Sequence, residues 1–240
     1  MSRAEMSRDS KKMKLDLERI VFIGRTYSEY LAMFDLHETE LAGRVILDCP
    51  AGACSFTAEG GRRGYDIIAA DIAYQFGPDE LELKGIQDLS HSKERLEEAR
   101  SEYMWDYYGS VEGHQKYREE ALALSSEHRR QFPEKYIYAE FPKLPLADQS
   151  VDLTLSAHFL FMYADRLSEQ FHEESLLELM RITREEIRIF PLVDLSSRRY
   201  EALDKLIQLA ASRGWVAEER KTDYRFQRDA DRYLKLTRQL

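Results

Sequence analysis

The sequence has 240 residues, 43% of them apolar and 33% charged, with a formal net charge of −9. That length suits one large α/β domain with a sizeable core, and no apolar run approaches the roughly 18 residues of a membrane span. The acidic balance repels a phosphate backbone on average and disfavours nucleic acid as a partner. Two cysteines, Cys49 and Cys54, give neither a disulfide framework nor paired metal-ligand spacing, and fit a reducing cytoplasm.

The chain opens on MSRAEMSRDSKKMK, basic and polar, with no apolar h-region behind it. Residues 1–20 are therefore expected to form a solvated tail, and 21–240 a single domain. A helix is expected from about Thr26 to Leu36, where Tyr30, Met33 and Phe34 fall at i, i+3 and i+4 and read as its apolar face. Short apolar runs at Val45 to Asp48, Asp66 to Ala70, Tyr136 to Ala139, Val151 to Ser156 and Glu186 to Phe190 read as strands. Helices are expected after the turn at Gly52, from Leu167 to Arg184 and from Ser197 to Arg213, with Gly214 as a C′ stop. This alternation predicts an α/β class with a mostly parallel sheet. Trp215 to Lys221 and Arg232 to Thr237 are separated by too few residues for a crossover helix, so they are expected to pair antiparallel as a C-terminal hairpin.

Between Asp71 and Tyr136 roughly 65 residues intervene, more than one crossover needs. Residues 78–135 are strongly charged and rich in helix formers, and are expected to form two or three helices as an insert over one face. Tyr103, Trp105, Tyr107, Tyr108 and Tyr117 gather there. Packing against the sheet is the leading reading for them, and lining of a ligand pocket the alternative.

The segment RVILDCPAGACSFTAEGGRRGYDIIAADIAY runs strand, turn, helix, strand, with Asp48 at the end of the first strand and Asp71 at the end of the second. In open parallel sheets, ligands bind beyond the carboxyl ends of the strands, where a turn exposes backbone N–H groups. An acidic residue about twenty positions past the turn accepts hydrogen bonds from ribose hydroxyls; Asp71 stands nineteen after Gly52.

This segment resembles the first motif of class I S-adenosylmethionine-dependent methyltransferases, Asp-x-Gly-x-Gly-x-Gly after an apolar strand. Asp48 and Gly52 stand where that family has them, while Pro50 and Cys54 replace the first and third glycines. Proline suits its position only where φ is negative and the N–H is unused. The stretch YIYAEFPKLPLADQSVDLTLSAHFLF is similar to the next two motifs, with Glu140, Phe141, Leu144-Pro145 and Val151-Asp152-Leu153 at the usual spacing. The Pro-Gly-Gly turn frequent before the fifth strand is missing; RITREEIRIF passes from helix to strand with almost no loop.

The resemblance implies a Rossmann-like three-layer sandwich and S-adenosyl-L-methionine as cofactor. It implies that Asp48, Gly52, Asp71, Ile72, Glu140, Phe141, Ser156 and Ala157 bind that cofactor, Glu140 taking the adenine amino group and the Phe141 N–H meeting the ring. It implies transfer of a methyl group to a small-molecule acceptor. An RNA or protein methyltransferase, or a binding partner or sensor without turnover, are the alternatives.

Methyl transfer asks the protein to align the acceptor, exclude water and, where needed, remove a proton. His158, just after the fourth strand, is the leading candidate for the base, because a free imidazole titrates near neutrality. His114 and Tyr27 are further catalytic candidates. Tyr117, Tyr30 and Asp165 are weaker ones, and Arg25 is expected over the cofactor's amino-acid end. No carboxylate neighbours His158 in sequence, so no metal is expected.

Overall fold

The computed structural model describes residues 21–239; the tail expected over 1–20 lies outside them. Its α-helices are α1 (Tyr27–Phe34), α2 (Phe56–Arg62), α3 (Pro78–Glu98), α4 (Val111–Gln131), α5 (Glu169–Ile182) and α6 (Leu203–Ser212). The strands are β1 (Val45–Asp48), β2 (Asp66–Asp71), β3 (Tyr136–Tyr138), β4 (Val151–Ala157), β5 (Thr183–Phe190), β6 (Trp215–Lys221) and β7 (Arg232–Arg238).

The seven strands form one sheet in the order β3-β2-β1-β4-β5-β7-β6. The first five are parallel, and β7 runs antiparallel to both β5 and β6, as the short late connection requires. Successive residues of a strand point to opposite faces, and the core divides accordingly. Leu47, Ile187 and Leu234 pack with Leu176, Leu179 and Leu203 of α5 and α6. Ile46, Leu153 and Leu155 pack on the other face with Tyr30, Met33 and Phe56 of α1 and α2. Helices on both faces of the sheet make three layers, a Rossmann-like sandwich.

Two elements depart from the expected bounds by three residues or more. β5 begins at Thr183 rather than Glu186, directly after α5, and reaches β4 through a register shift between Val151 and Leu153. α6 begins at Leu203 rather than Ser197. Here the Asp194 carboxylate accepts the N–H groups of Ser196 (2.8 Å) and Arg198 (3.0 Å), and Ser197 takes a positive φ of 59°. A side chain that satisfies the backbone locally competes with helix. Gly214 at φ 78° ends α6 as expected.

The two long helices α3 and α4 occupy the connection between β2 and β3. A buried ion pair fixes them to the rest of the molecule. Arg118 of α4 and Glu29 of α1 are both fully buried and bonded to one another through two guanidinium nitrogens. Arg118 Nη1 also donates to the Gly24 carbonyl, Nη2 to the Tyr108 hydroxyl and Nε to His114 Nε2 at 3.1 Å. All five guanidinium N–H groups thus have acceptors. Glu29 in turn accepts the N–H of Thr26 (2.7 Å) in the capping box that starts α1.

A second buried guanidinium, Arg188 of β5, donates to the carbonyls of Phe34 (2.7 Å) and Asp35 (3.1 Å) at the end of α1, and to Glu40 and Glu186. A cation on the last helical carbonyls also complements the helix dipole.

Removing one partner of a buried pair leaves an uncompensated charge, at a cost of about 3–5 kcal/mol. Arg118→Met is expected to lose that much in urea denaturation, and Arg118→Met combined with Glu29→Leu to lose less than Arg118→Met alone. A single-variant loss under about 1 kcal/mol would contradict this role.

Candidate cofactor and acceptor site

A cavity of about 660 Å³ opens at the carboxyl ends of the parallel strands. Cys49 after β1, Asp71 and Ile72 at the end of β2, Ala139 after β3, Ala157 and His158 at the end of β4 and Pro191 after β5 all line it. The order reverses between β1 and β4, and a crevice at that switch point is where open α/β sheets bind ligands.

At the β1 end the chain turns through Pro50 and Gly52. Gly52 sits at φ 53°, a backbone conformation that side chains strain, and a Cβ built there meets no atom nearer than Asp71 Oδ2 at 3.9 Å. The Asp71 carboxylate holds the turn: Oδ2 accepts the Gly52 N–H (2.7 Å) and Oδ1 the Ala73 N–H (2.8 Å). Burial raises its pKa and those two N–H bonds oppose the rise, leaving it above the ordinary value. Each carboxylate oxygen keeps a second lone pair for a ligand. Glu140 is exposed on the cavity wall with Phe141 beside it, and the Phe141 N–H has no partner among the described residues.

Of the residues expected to bind the cofactor and the three leading catalytic candidates, three do not line the cavity. Asp48 is fully buried below the turn, where Oδ1 accepts the Tyr30 hydroxyl (2.8 Å) and Oδ2 has no partner. Its carboxyl is pushed well above the usual range by burial, against the Tyr30 hydrogen bond. Ser156 is buried within β4, one position short of the cavity wall at Ala157. Tyr27 stacks on Phe56 at 5.4 Å, and its hydroxyl donates to Glu38 at 3.2 Å. It is a packing residue of α1.

His158 takes φ 54°, and its N–H donates to the Phe190 carbonyl at 2.6 Å. A left-handed backbone at a non-glycine residue costs roughly 1–2 kcal/mol, and such strain concentrates at functional sites. The imidazole lines the cavity and its Nδ1 has no partner. Burial, with the charges of Arg25 and Arg118, drives its pKa well below the ordinary value, so the ring is neutral.

His114 also lines the cavity, but its Nε2 is taken by Arg118. Burial and the Arg118 charge lower its pKa to about 2. With Nε2 committed as an acceptor, His114 has no nitrogen free to act as a base.

Of the insert's aromatics, Tyr103 reaches the cavity. Tyr107, Tyr108 and Tyr117 pack on one another at 4.9 to 5.8 Å, and Trp105 packs edge-on against Phe226 at 5.5 Å. Tyr30 is buried at Asp48, and Asp165 is exposed and paired with Arg166. Arg25 does line the cavity.

Apart from Arg25, two segments of the site carry no sequence signal. Residues 21–25 run along the turn, with the Ser55 N–H donating to the Arg25 carbonyl (2.9 Å) and the Arg25 N–H to Cys54 Sγ (3.2 Å). A Cβ on Gly24 would sit 2.0 Å from the Ala53 carbonyl oxygen, so only glycine fits. The β6–β7 connection folds back to contribute Tyr224, Phe226, Gln227 and Ala230.

No group of three or more His, Cys, Asp or Glu side chains able to hold a metal occurs among the described residues. No helix among them is long and apolar enough to cross a membrane.

The sheet order and the reversed last strand make a Rossmann-like α/β sandwich with a cavity beyond the ends of β1, β2 and β4. The chain belongs to the same family as the uncharacterized protein MJ0045 of Methanocaldococcus jannaschii, with 35% identity over 225 residues, 93% of this chain and 99% of that one. No family model matches the sequence. Among solved structures, it aligns with 1,6-didemethyltoxoflavin-N1-methyltransferase of Burkholderia thailandensis at 13% identity and TM-score 0.47, over 100% of this chain and 92% of that one. It aligns with magnesium protoporphyrin IX methyltransferase of Synechocystis PCC 6803 at 10% identity and TM-score 0.49, over 88% and 77%.

Because unfolded histidine takes a proton near pH 6.5 and folded His158 does not, this residue removes stability as pH falls from 7 to 5. Its contribution is up to about 1.4 kcal/mol per pH unit. His158→Asn, which tolerates positive φ, is expected to flatten the unfolding free energy over that window; equal slopes in the two proteins would contradict a neutral buried imidazole.

Proposed function

We infer that the chain is an S-adenosylmethionine-dependent methyltransferase acting on a small-molecule acceptor. The observation that carries this is the joint placement of Gly52, Asp71, Ile72, Glu140, Phe141 and Ala157 around one cavity at the switch point of the sheet.

The donor set fits the cofactor. Asp71 keeps lone pairs for two ribose hydroxyls, Glu140 offers an exposed carboxylate to an adenine amino group, and the Phe141 N–H is left for a ring nitrogen. Gly52 leaves open space where a side chain would block approach. Arg25, lining the cavity beside the turn, suits the cofactor's carboxylate. Asp48 and Ser156 act from beneath, supporting the turn and the end of β4 without reaching the ligand.

When bound, S-adenosylmethionine supplies a methyl group on a sulfonium sulfur that leaves as a neutral thioether. The chain's task is then to align and enclose. The insert and the β6–β7 connection close the acceptor side with Leu96, Tyr103, Tyr224 and Phe226, excluding water. A proton released by the acceptor has the neutral imidazole of His158, on the cavity wall, to receive it. The depressed basicity of that ring suits an acceptor that ionises readily or offers a lone pair outright.

Calorimetric titration with S-adenosylmethionine tests the assignment. Asp71→Ala is expected to weaken binding by about 30-fold, the loss of hydrogen bonds to a charged group at roughly 2 kcal/mol. Gly52→Val is expected to weaken it as well, by straining the turn and filling the approach. Unchanged affinity in both variants would overturn the reading.

A further inference from the structure

We propose that His114 is the hydrogen-bond donor that recognises the methyl acceptor, and that this acceptor is a flat molecule without positive charge presenting a carbonyl oxygen or ring nitrogen to it. The proposal rests on the methyl-transfer reading above and concerns the half of the cavity which that reading leaves to the acceptor.

The tautomer of His114 follows from its neighbour. Arg118 can only donate, and its Nε–H is aimed at His114 Nε2 at 3.1 Å. Nε2 is therefore the bare nitrogen and the ring proton sits on Nδ1; among the described residues the hydrogen bond of this ring is the one from Arg118 to Nε2. The guanidinium cannot turn away, because its other four N–H groups are held by Glu29, Gly24 and Tyr108 in a fully buried network. A histidine fixed in one tautomer by a permanent cation, on the wall of a cavity, is a donor aimed at a ligand's lone pair.

The shape of the ligand follows from the rings around it. Phe226 lies stacked between Tyr103 (4.7 Å, 21°) and His114 (4.7 Å, 16°), and all three line the cavity. Parallel rings joining the insert to the β6–β7 connection make a wall suited to an aromatic plane.

Its charge follows from what lines the cavity. Among the described residues the only carboxylates lining it are Asp71 and Glu140, both at the cofactor end, whereas Arg25 and Arg166 line it with positive charge. Glu29, which does not line the cavity, is consumed by Arg118. A cationic amine entering this half would lose its hydration with no counter-charge.

The test uses the full chain, isotopically labelled with nitrogen-15 and saturated with S-adenosylhomocysteine, in NMR titrations with three flat probes. These are 4-quinolone, neutral with a carbonyl; naphthalene, without an acceptor atom; and 1-naphthylmethylammonium, a cation. The ring nitrogens of His114 are expected to report a neutral ring protonated on Nδ1. 4-Quinolone is expected to shift that Nδ1 and to bind roughly tenfold or more tighter than the other two, the worth of one hydrogen bond. His114→Phe keeps the stack and removes the donor, and should reduce 4-quinolone to the level of naphthalene. His114→Gln can accept from Arg118 and still donate, and should restore it. A ring protonated on Nε2 or on both nitrogens, an ammonium probe that binds as tightly as 4-quinolone, no binding by 4-quinolone, or undiminished binding in His114→Phe would each overturn the proposal. Where a variant does not fold, the wild-type tautomer and the ranking of the three probes decide. Failure of S-adenosylhomocysteine itself to bind would instead strike the parent reading.

Discussion

The buried pair of Arg118 and Glu29 is the constraint on which the site depends. Two charges removed from water are tolerable only when every lone pair and proton is used, and here the requirement reaches in four directions. Glu29 caps the start of α1, and Arg118 grips the carbonyl of Gly24, the hydroxyl of Tyr108 and the ring of His114. One guanidinium thereby fixes the strand-like segment along the turn, the first helix, the inserted helices and a cavity-lining imidazole relative to one another. Tyr108 passes the network on to Tyr224 of the β6–β7 connection at 2.6 Å, so the far wall is held by the same cluster.

That cluster also sets the electrostatics of the cavity. The charge of Arg118 adds to burial in holding both His114 and His158 unprotonated. The acidic groups that face the cavity are confined to its β2 and β3 side. The carboxylates thus lie beyond the ends of β2 and β3, whereas the roofed half is aromatic, with Arg25 and Arg166 as the cations of the lining. A protein of net charge −9 presents almost none of that charge to the acceptor, because its carboxylates lie on solvated helix faces or in ion pairs.

Much of the framework was legible in the sequence because its signals are local. Strands β1 and β6 fall at the bounds read from their apolar runs, and the antiparallel hairpin follows from the length of the connection alone. Asp71, Gly52, Glu140 and His158 were legible because strand ends and turns put them on one rim. The residues that fall off the cavity wall do so for physical reasons. Tyr27 sits beside the turn in sequence, but the helix that begins there aims it at Phe56. Asp48 and Ser156 were placed at the ligand although strand alternation points them into the layers of the sandwich. The partnership of Glu29 with Arg118 spans 89 positions between two helices, and no periodicity encodes such a pairing. His114 was picked as a candidate, but its commitment as an acceptor comes from that same unseen pair.

The central claim is that one cavity at the sheet's switch point holds S-adenosylmethionine, with its sulfur toward His158. A crystal structure of the chain with S-adenosylhomocysteine tests it most directly. The account predicts the ribose hydroxyls on Asp71, the adenine between Ile72 and Phe141 with its amino group at Glu140, and the sulfur facing the His158 side of the cavity. A nucleoside bound elsewhere, or one in this cavity that makes no contact with Asp71, would contradict it.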